Sequence, residues 1–189
     1  FTPDDVDNYE IVTGIVTLKV ENVTLNHIEV TKNPDKMSYV AYSDFDATGM
    51  IVTAYFDGAE ARELGIEELT LSGNTNLQYG DGKATITITF QEKTATVTVD
   101  VTKMLIPVPQ AQTGIVFDGE LHTGIVADEQ WSQYYDVDAE ERYAGTYTAV
   151  VNLNDVNNTA WEGTEDSEPK EIPWTIEHVA IEVTVKAES

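Results

Sequence analysis

The stretch "ATITITF", Ala84 to Phe90, alternates apolar and hydroxyl side chains, and after "QEK" the alternation resumes in "TATVTVDV". In an extended chain successive side chains point to opposite faces. Ile86, Ile88 and Phe90 therefore share one face of the first run, and Ala95, Val97, Val99 and Val101 share one face of the second. The threonines and Asp100 fall on the other side. Two β-branched runs of period 2 around a short polar turn predict an antiparallel hairpin buried on one face.

The same pattern recurs along the chain. Met50, Val52, Ala54 and Phe56 line one face of a strand that "FDG" closes as a turn. Further strands are expected at "IVTGIVTLKV" (11–20), "HIEV" (27–30), "GTYTAVVNL" (145–153) and "IPWTI" (172–176). "AEARELGIEEL" contains helix formers, but Gly65 interrupts it and no 3.6-residue stripe develops, so an irregular strand or a single helical turn is expected. Many short strands with turn signals about every ten residues predict an all-β chain of tandem immunoglobulin-like β-sandwich domains.

Punctuation divides the chain. Pro107 and Pro109 in "TKMLIPVPQAQTG" stiffen the backbone and cannot donate to a ladder, so residues 104–113 are expected as a short semi-rigid linker. It separates a domain at 26–103 from a second at 114–177. Residues 1–25 are too short for a domain yet contain a strong strand, which suits an extra strand or the closing fragment of a preceding repeat. Trp174 and Ile176 are two apart, but the next apolar residue in the pattern, Val179, is three further on. An odd step turns later side chains to the opposite face. Glu177–His178 is thus a bulge or an element boundary, and 178–189 a terminal strand or the start of a following repeat. The chain reads as an excised portion of a longer array, with any signal peptide outside it.

Charge and composition narrow the chemistry. Ten basic against 34 acidic residues give a net charge of −24, a field that repels phosphate backbones and anionic lipid. Nucleic acid is therefore excluded as a partner, and no apolar run approaches the roughly 20 residues of a bilayer span. Cysteine is absent, which removes disulfides and thiolate metal sites. The histidines His27, His122 and His178 are far apart, and no HExxH, G-x-S-x-G or phosphate-binding glycine loop occurs. No enzyme activity and no cofactor are expected. With 34 carboxylates, close acidic pairs arise by chance and carry no information.

Three acidic groups are candidates for cation sites. In "SDFDATGM" the carboxylates of Asp44 and Asp46 flank Phe45, and calcium's six to eight oxygens are not supplied by the Thr48-Gly49 that follows. Phe45 is expected to plug the core while the acids face water, Gly49 to relieve the backbone, and Asp57-Gly58 to form a turn. "DDVDN", with Asp4, Asp5 and Asp7, is denser but lacks the Gly and distal Glu of a helix-loop-helix calcium site. It stands as a calcium candidate against a solvated turn. "DVDAEER", 136–142, is expected as a charged loop with at most one helical turn.

Among the aromatics, Trp161 and Trp174 suit core or turn positions, and Tyr147 in "AGTYTA" suits a corner tyrosine with its hydroxyl tied to backbone. "EQWSQYYDV" offers Trp131, Tyr134 and Tyr135 either as a platform for a sugar ring or as a half-buried strand edge.

"HIEVTKNPDKMSYVAYSDFDATGMIVTAYFDGAEARE" resembles the start of bacterial Ig-like domains of group 3. The resemblance rests on Ile28 and Val30; Pro34, Lys36 and Tyr39; Phe45 through Gly58; and the closing Thr98 to Val101. It departs at "YVAYSDFD", where the family commonly has a Gly before the acidic pair, so that Ala41 or Tyr42 is expected to widen that turn. The second half is similar to another repeat of Gram-positive surface proteins, through Phe117, Gly119, Thr123 and Gly124; Ala144 to Ala149; and Trp174 to Ile176. The resemblance implies an extracellular, cell-surface or secreted bacterial protein, monomeric within a tandem array. It implies non-catalytic modules acting as stalk or adhesive spacer, with a host or cell-wall glycan or protein as a possible partner. The alternatives it leaves are a carbohydrate-binding module accessory to a polysaccharide-acting protein and a decoration domain on a phage virion.

Overall fold

The computed structural model describes Gly14 and residues 23–183. The expected strand at 11–20 and the acidic group Asp4, Asp5 and Asp7 lie outside the described residues, apart from Gly14. The described chain is all-β, forms two β-rich units and contains no α-helix.

The first unit holds seven strands: β1 (Thr24–Lys32), β2 (Ser38–Val40), β3 (Ile51–Asp57), β4 (Arg62–Leu64), β5 (Thr70–Ser72), β6 (Lys83–Phe90) and β7 (Lys93–Thr102). They form two sheets, β1-β3-β4 and β2-β7-β6-β5, of which the β2–β7 pairing is parallel and the rest antiparallel. The predicted hairpin is β6–β7, with Ile86 opposite Val97 and Ala84 opposite Val99. Ile86, Ile88, Val97, Val99 and Val101 are buried, as alternation requires, and they face Ile28, Val52, Ala54 and Leu64 of the other sheet. Such apolar side chains contribute roughly 1.5–3 kcal/mol each when fully removed from water. The segment predicted as irregular strand or helical turn is both: β4, then a single 3₁₀ turn at Ile66–Glu68, where Glu68 accepts from the Gly65 amide at 2.9 Å.

The second unit holds β8 (Met104–Ile106), β9 (Ile115–Val116), β10 (Tyr135–Asp138), β11 (Gly145–Leu153), β12 (Thr159–Trp161) and β13 (Lys170–Glu177). A sheet of order β10-β11-β13-β9 is accompanied by a parallel pair, β8 and β12. Strand β11 coincides with the predicted 145–153, and its Ala149, Val151 and Leu153 are buried. Trp174 anchors one part of the core, and Trp161 the other. The Trp161 indole donates to the Glu168 carbonyl at 2.8 Å.

Residues 104–113, expected as a short semi-rigid linker, contain a paired strand. Only Lys103 separates β7 from β8, and β8 pairs with β12 so that Ile106 is wholly buried in the second unit. Pro107 and Pro109 follow the paired residues, where no ladder donor is required. Pro109 is itself buried, and Ala111 bridges to Ile125. The apolar "MLI" before the prolines found a partner strand, which a reading based on proline alone overlooks. At the far end β13 stops at Glu177, where the apolar phase breaks. Asp136–Asp138 lies in β10 rather than in a loop or helical turn, and Glu141 bridges to His122.

Candidate functional site

The acidic stretch around Asp44 and Asp46 is built as a turn. Asp46 accepts from the Thr48 hydroxyl at 2.6 Å and the Thr48 amide at 2.9 Å, and these bonds hold its carboxyl below the usual range. Asp44 accepts from the Asn76 amide at 2.8 Å. Phe45 is half-buried against the core while both acids are exposed. Gly49 has φ +79°, in the left-handed region that a Cβ disfavours. Each carboxylate is thus engaged in closing backbone. Among the described residues no group of three or more His, Asp or Glu side chains is placed to hold a metal ion.

The aromatic trio is dispersed. Tyr135 is buried in β10 and packs near Trp161, at 6.2 Å between ring centroids. Trp131 and Tyr134 are half-buried and inclined at 46° to each other. They bracket a 3₁₀ turn, Ser132–Tyr134, and present no flat three-ring surface. Tyr147, by contrast, takes the corner role expected of it. Its hydroxyl donates to the Tyr143 carbonyl at 2.7 Å, and its ring lies 5.2 Å from that of Trp174.

Tyr134 leads to a polar network that joins the two units. Its ring stacks on Tyr42 of the first unit, 6.4 Å between centroids and 27° between planes. The Tyr42 hydroxyl donates to Asp155 Oδ2 at 2.8 Å. Asp155 opens the loop between β11 and β12 and accepts at Oδ1 from the amides of Asn157 and Asn158. Asn158, although polar, is buried. Its Oδ1 accepts from the Tyr79 amide at 2.8 Å, and its Nδ2 donates to Gln78 Oε1 at 2.7 Å and Asp155 Oδ2 at 2.8 Å. Both hydrogens of that amide are therefore used, as a buried polar group requires. Lys103, the residue between the two units, donates from Nζ to the Val156 carbonyl at 2.7 Å and to Ser167 Oγ at 3.2 Å, with the Tyr79 ring 5.6 Å away.

The electrostatics follow from this packing. Burial, helped by the hydrogen bond to Asp155, pushes the Tyr42 phenol up to about 12. Hydrogen bonds from Asn158 and then Tyr42 hold the Asp155 carboxyl below its usual range. An open cleft of about 820 Å³ flanks the joint between Val40, Tyr79, Leu105 and Glu165. Tyr79, Lys103 and Glu165 are the titratable residues on its lining, and the Lys103 ammonium is bonded to the Val156 carbonyl and Ser167. What the arrangement does is clamp two units together.

Sequence reasoning missed this clamp. No pattern in the sequence marks Asn158 for burial, and Tyr42 is expected only as a residue that widens a turn. The turn is not widened: the Ser43 amide reaches the Val40 carbonyl at 3.1 Å, and Tyr42 takes the left-handed conformation itself, with φ +70°. That conformation costs a non-glycine residue about 1–2 kcal/mol. The available signal was a bulky residue at a turn position that favours glycine, together with an Asn-rich loop fifty residues after the prolines.

With the two-sheet geometry established, comparison with known families decides the first unit. Residues 32–101 match the bacterial Ig-like domain (group 3). The match spans β2 to β7 and the end of β1, and so covers both sheets of the first unit. Domains of this family are non-catalytic modules found mainly in bacterial surface proteins. No curated protein matches the chain. The second β-rich unit lies outside the matched Ig-like domain, joined to it by Lys103 and the clamp.

Proposed function

We propose that this chain is a non-catalytic spacer of a bacterial cell-surface or secreted protein, in which two β-sandwich units are held at a fixed angle to carry a more distal region away from the cell. The observation that carries the reading is the joint. A flexible linker would leave Asp155 and Asn158 solvated, whereas here their side chains bond to Tyr42, Gln78 and Tyr79 across the boundary. The domain division that fits is an Ig-like unit to about residue 103, and a second Ig-like repeat that takes β8 as its first strand. Beyond β13, Val179, Ile181 and Val183 are exposed. The large negative charge keeps neighbouring rods soluble and mutually repelling.

A glycan-binding role for Trp131, Tyr134 and Tyr135 has less support, because Tyr135 is buried and Tyr134 is engaged with Tyr42. Small-angle scattering of the whole chain tests the spacer reading. A single interunit arrangement, with a maximum dimension insensitive to salt above about one Debye length of screening, is the expected result. A profile that only a broad ensemble of interunit angles can fit would overturn it.

A further inference from the structure

Of the non-glycine residues with left-handed φ among the described residues, Asn76, Asp81, Gln91, Glu165 and Tyr42, only Tyr42 is aromatic. Asn and Asp tolerate this region, and Gln91 stands in a hairpin turn. Tyr42 sits in the third position of a turn closed by Ser43 N to Val40 O, the position that a positive φ normally reserves for glycine. Within the first unit Tyr42 is partly buried against the core. Its hydroxyl and its ring face are both used by the second unit, through Asp155 and Tyr134.

We propose that Tyr42 couples the fold of the first unit to the docking of the second: the turn at 41–43 accepts a strained tyrosine because Asp155 and Tyr134 hold its side chain. This deepens the fixed-angle spacer reading and rests on it. Local strain of this kind persists where surrounding structure over-determines it, and here part of that structure belongs to the neighbouring unit. Undocking therefore removes support from the 41–43 turn, and relaxing the turn withdraws the anchor from the joint. Tyr42 is a positioning residue, and its backbone and side chain make opposite demands.

Those demands separate in two variants of the whole chain, read by amide hydrogen exchange. Tyr42→Phe keeps the strained backbone and loses the bond to Asp155. Tyr42→Gly relieves the backbone and loses the entire anchor. The Tyr79 amide, bonded to Asn158 across the joint, reports docking, and the Leu77 amide, bonded to the Ser43 carbonyl beside the turn, reports the first unit. In both variants Tyr79 is expected to exchange about tenfold faster or more, a change that corresponds to about 1.4 kcal/mol. Leu77 is expected to exchange several-fold faster in Tyr42→Phe but no faster than wild type in Tyr42→Gly. Unchanged Tyr79 exchange in both variants, or Leu77 moving the same way in both, would overturn the coupling. A wild-type chain that scatters as a flexible pair overturns the spacer reading by itself. A stiff chain with either of those exchange results overturns only the role of Tyr42.

Discussion

At the scale of single residues, two positions carry penalties that substitution can reveal. Gly124 has φ +68°, and a Cβ there would fall 2.0 Å from the Trp174 ring. That ring is buried at the centre of one part of the second core and cannot retreat without moving Tyr147. Gly124→Ala combines a left-handed strain with overpacking, and should lower stability by about 3 kcal/mol, measured by chemical denaturation. The Tyr135 hydroxyl is buried without a hydrogen-bond partner, and burial pushes its phenol up. Removing an unpaired buried hydroxyl recovers its desolvation penalty, so Tyr135→Phe should stabilise the second unit by about 1 kcal/mol. A loss of stability in that variant would mean that the hydroxyl has a partner after all.

At the scale of elements, the β6–β7 hairpin is the most strongly specified piece of the molecule. Its register places Ile86 beside Val97, Ile88 beside Ala95 and Ala84 beside Val99, so the apolar sets of the two strands share one face. A slip of one residue would turn the slipped strand's apolar set to water. The weak point is the turn, where Gln91 takes φ +53°. Gln91→Gly should raise the midpoint of unfolding of the first unit by an amount equivalent to about 0.5–1 kcal/mol, because glycine reaches this region without a Cβ clash. An unchanged or lower midpoint would show that the unfolded-state entropy of glycine outweighs the relieved strain. The same rule explains why Tyr42 is costly where it stands, and why its cost needs a second element to offset it.

At the scale of the whole molecule, the joint should depend on pH at both ends of the scale. Asp155 is held below its usual range in the docked state, so its contribution is complete above about pH 4 and is lost as pH falls through the lowered value. Tyr42 is pushed up to about 12 from 10.0, so its contribution is complete below about pH 10 and is lost as pH rises through about 12. Scattering should therefore show a constant interunit arrangement between these limits and loosening beyond each. Tyrosinate absorbance should include late-titrating phenols at Tyr42 and at the buried Tyr135, and the Tyr42 component should disappear in Tyr42→Phe. If both late components survive the substitution, the phenol at the joint is not one of those held up.

Much of this architecture could be read before any coordinates. The alternation at 84–101, the strand at 145–153, the corner role of Tyr147 and the turn-forming role of Asp46 are all local, since each follows from side-chain period or from bonds within a few residues, whereas Asp44 bonds to the distant Asn76. Residues 104–106 were read as linker because prolines follow them, although their partner β12 lies more than fifty residues away. Trp131, Tyr134 and Tyr135 looked alike in sequence, but a 3₁₀ turn sends Tyr135 into the core and Tyr134 toward Tyr42. By itself, then, the amino-acid sequence determined the strands, their buried faces and the Ig-like character of the first unit, because a period of two and a specific turn are properties of neighbouring residues. Only the tertiary structure decided that Tyr42, Gln78, Tyr79, Asp155 and Asn158 meet. Hydrogen bonds between residues some eighty to more than a hundred positions apart have no period, and a polar loop that will be buried looks the same in sequence as one that stays in water.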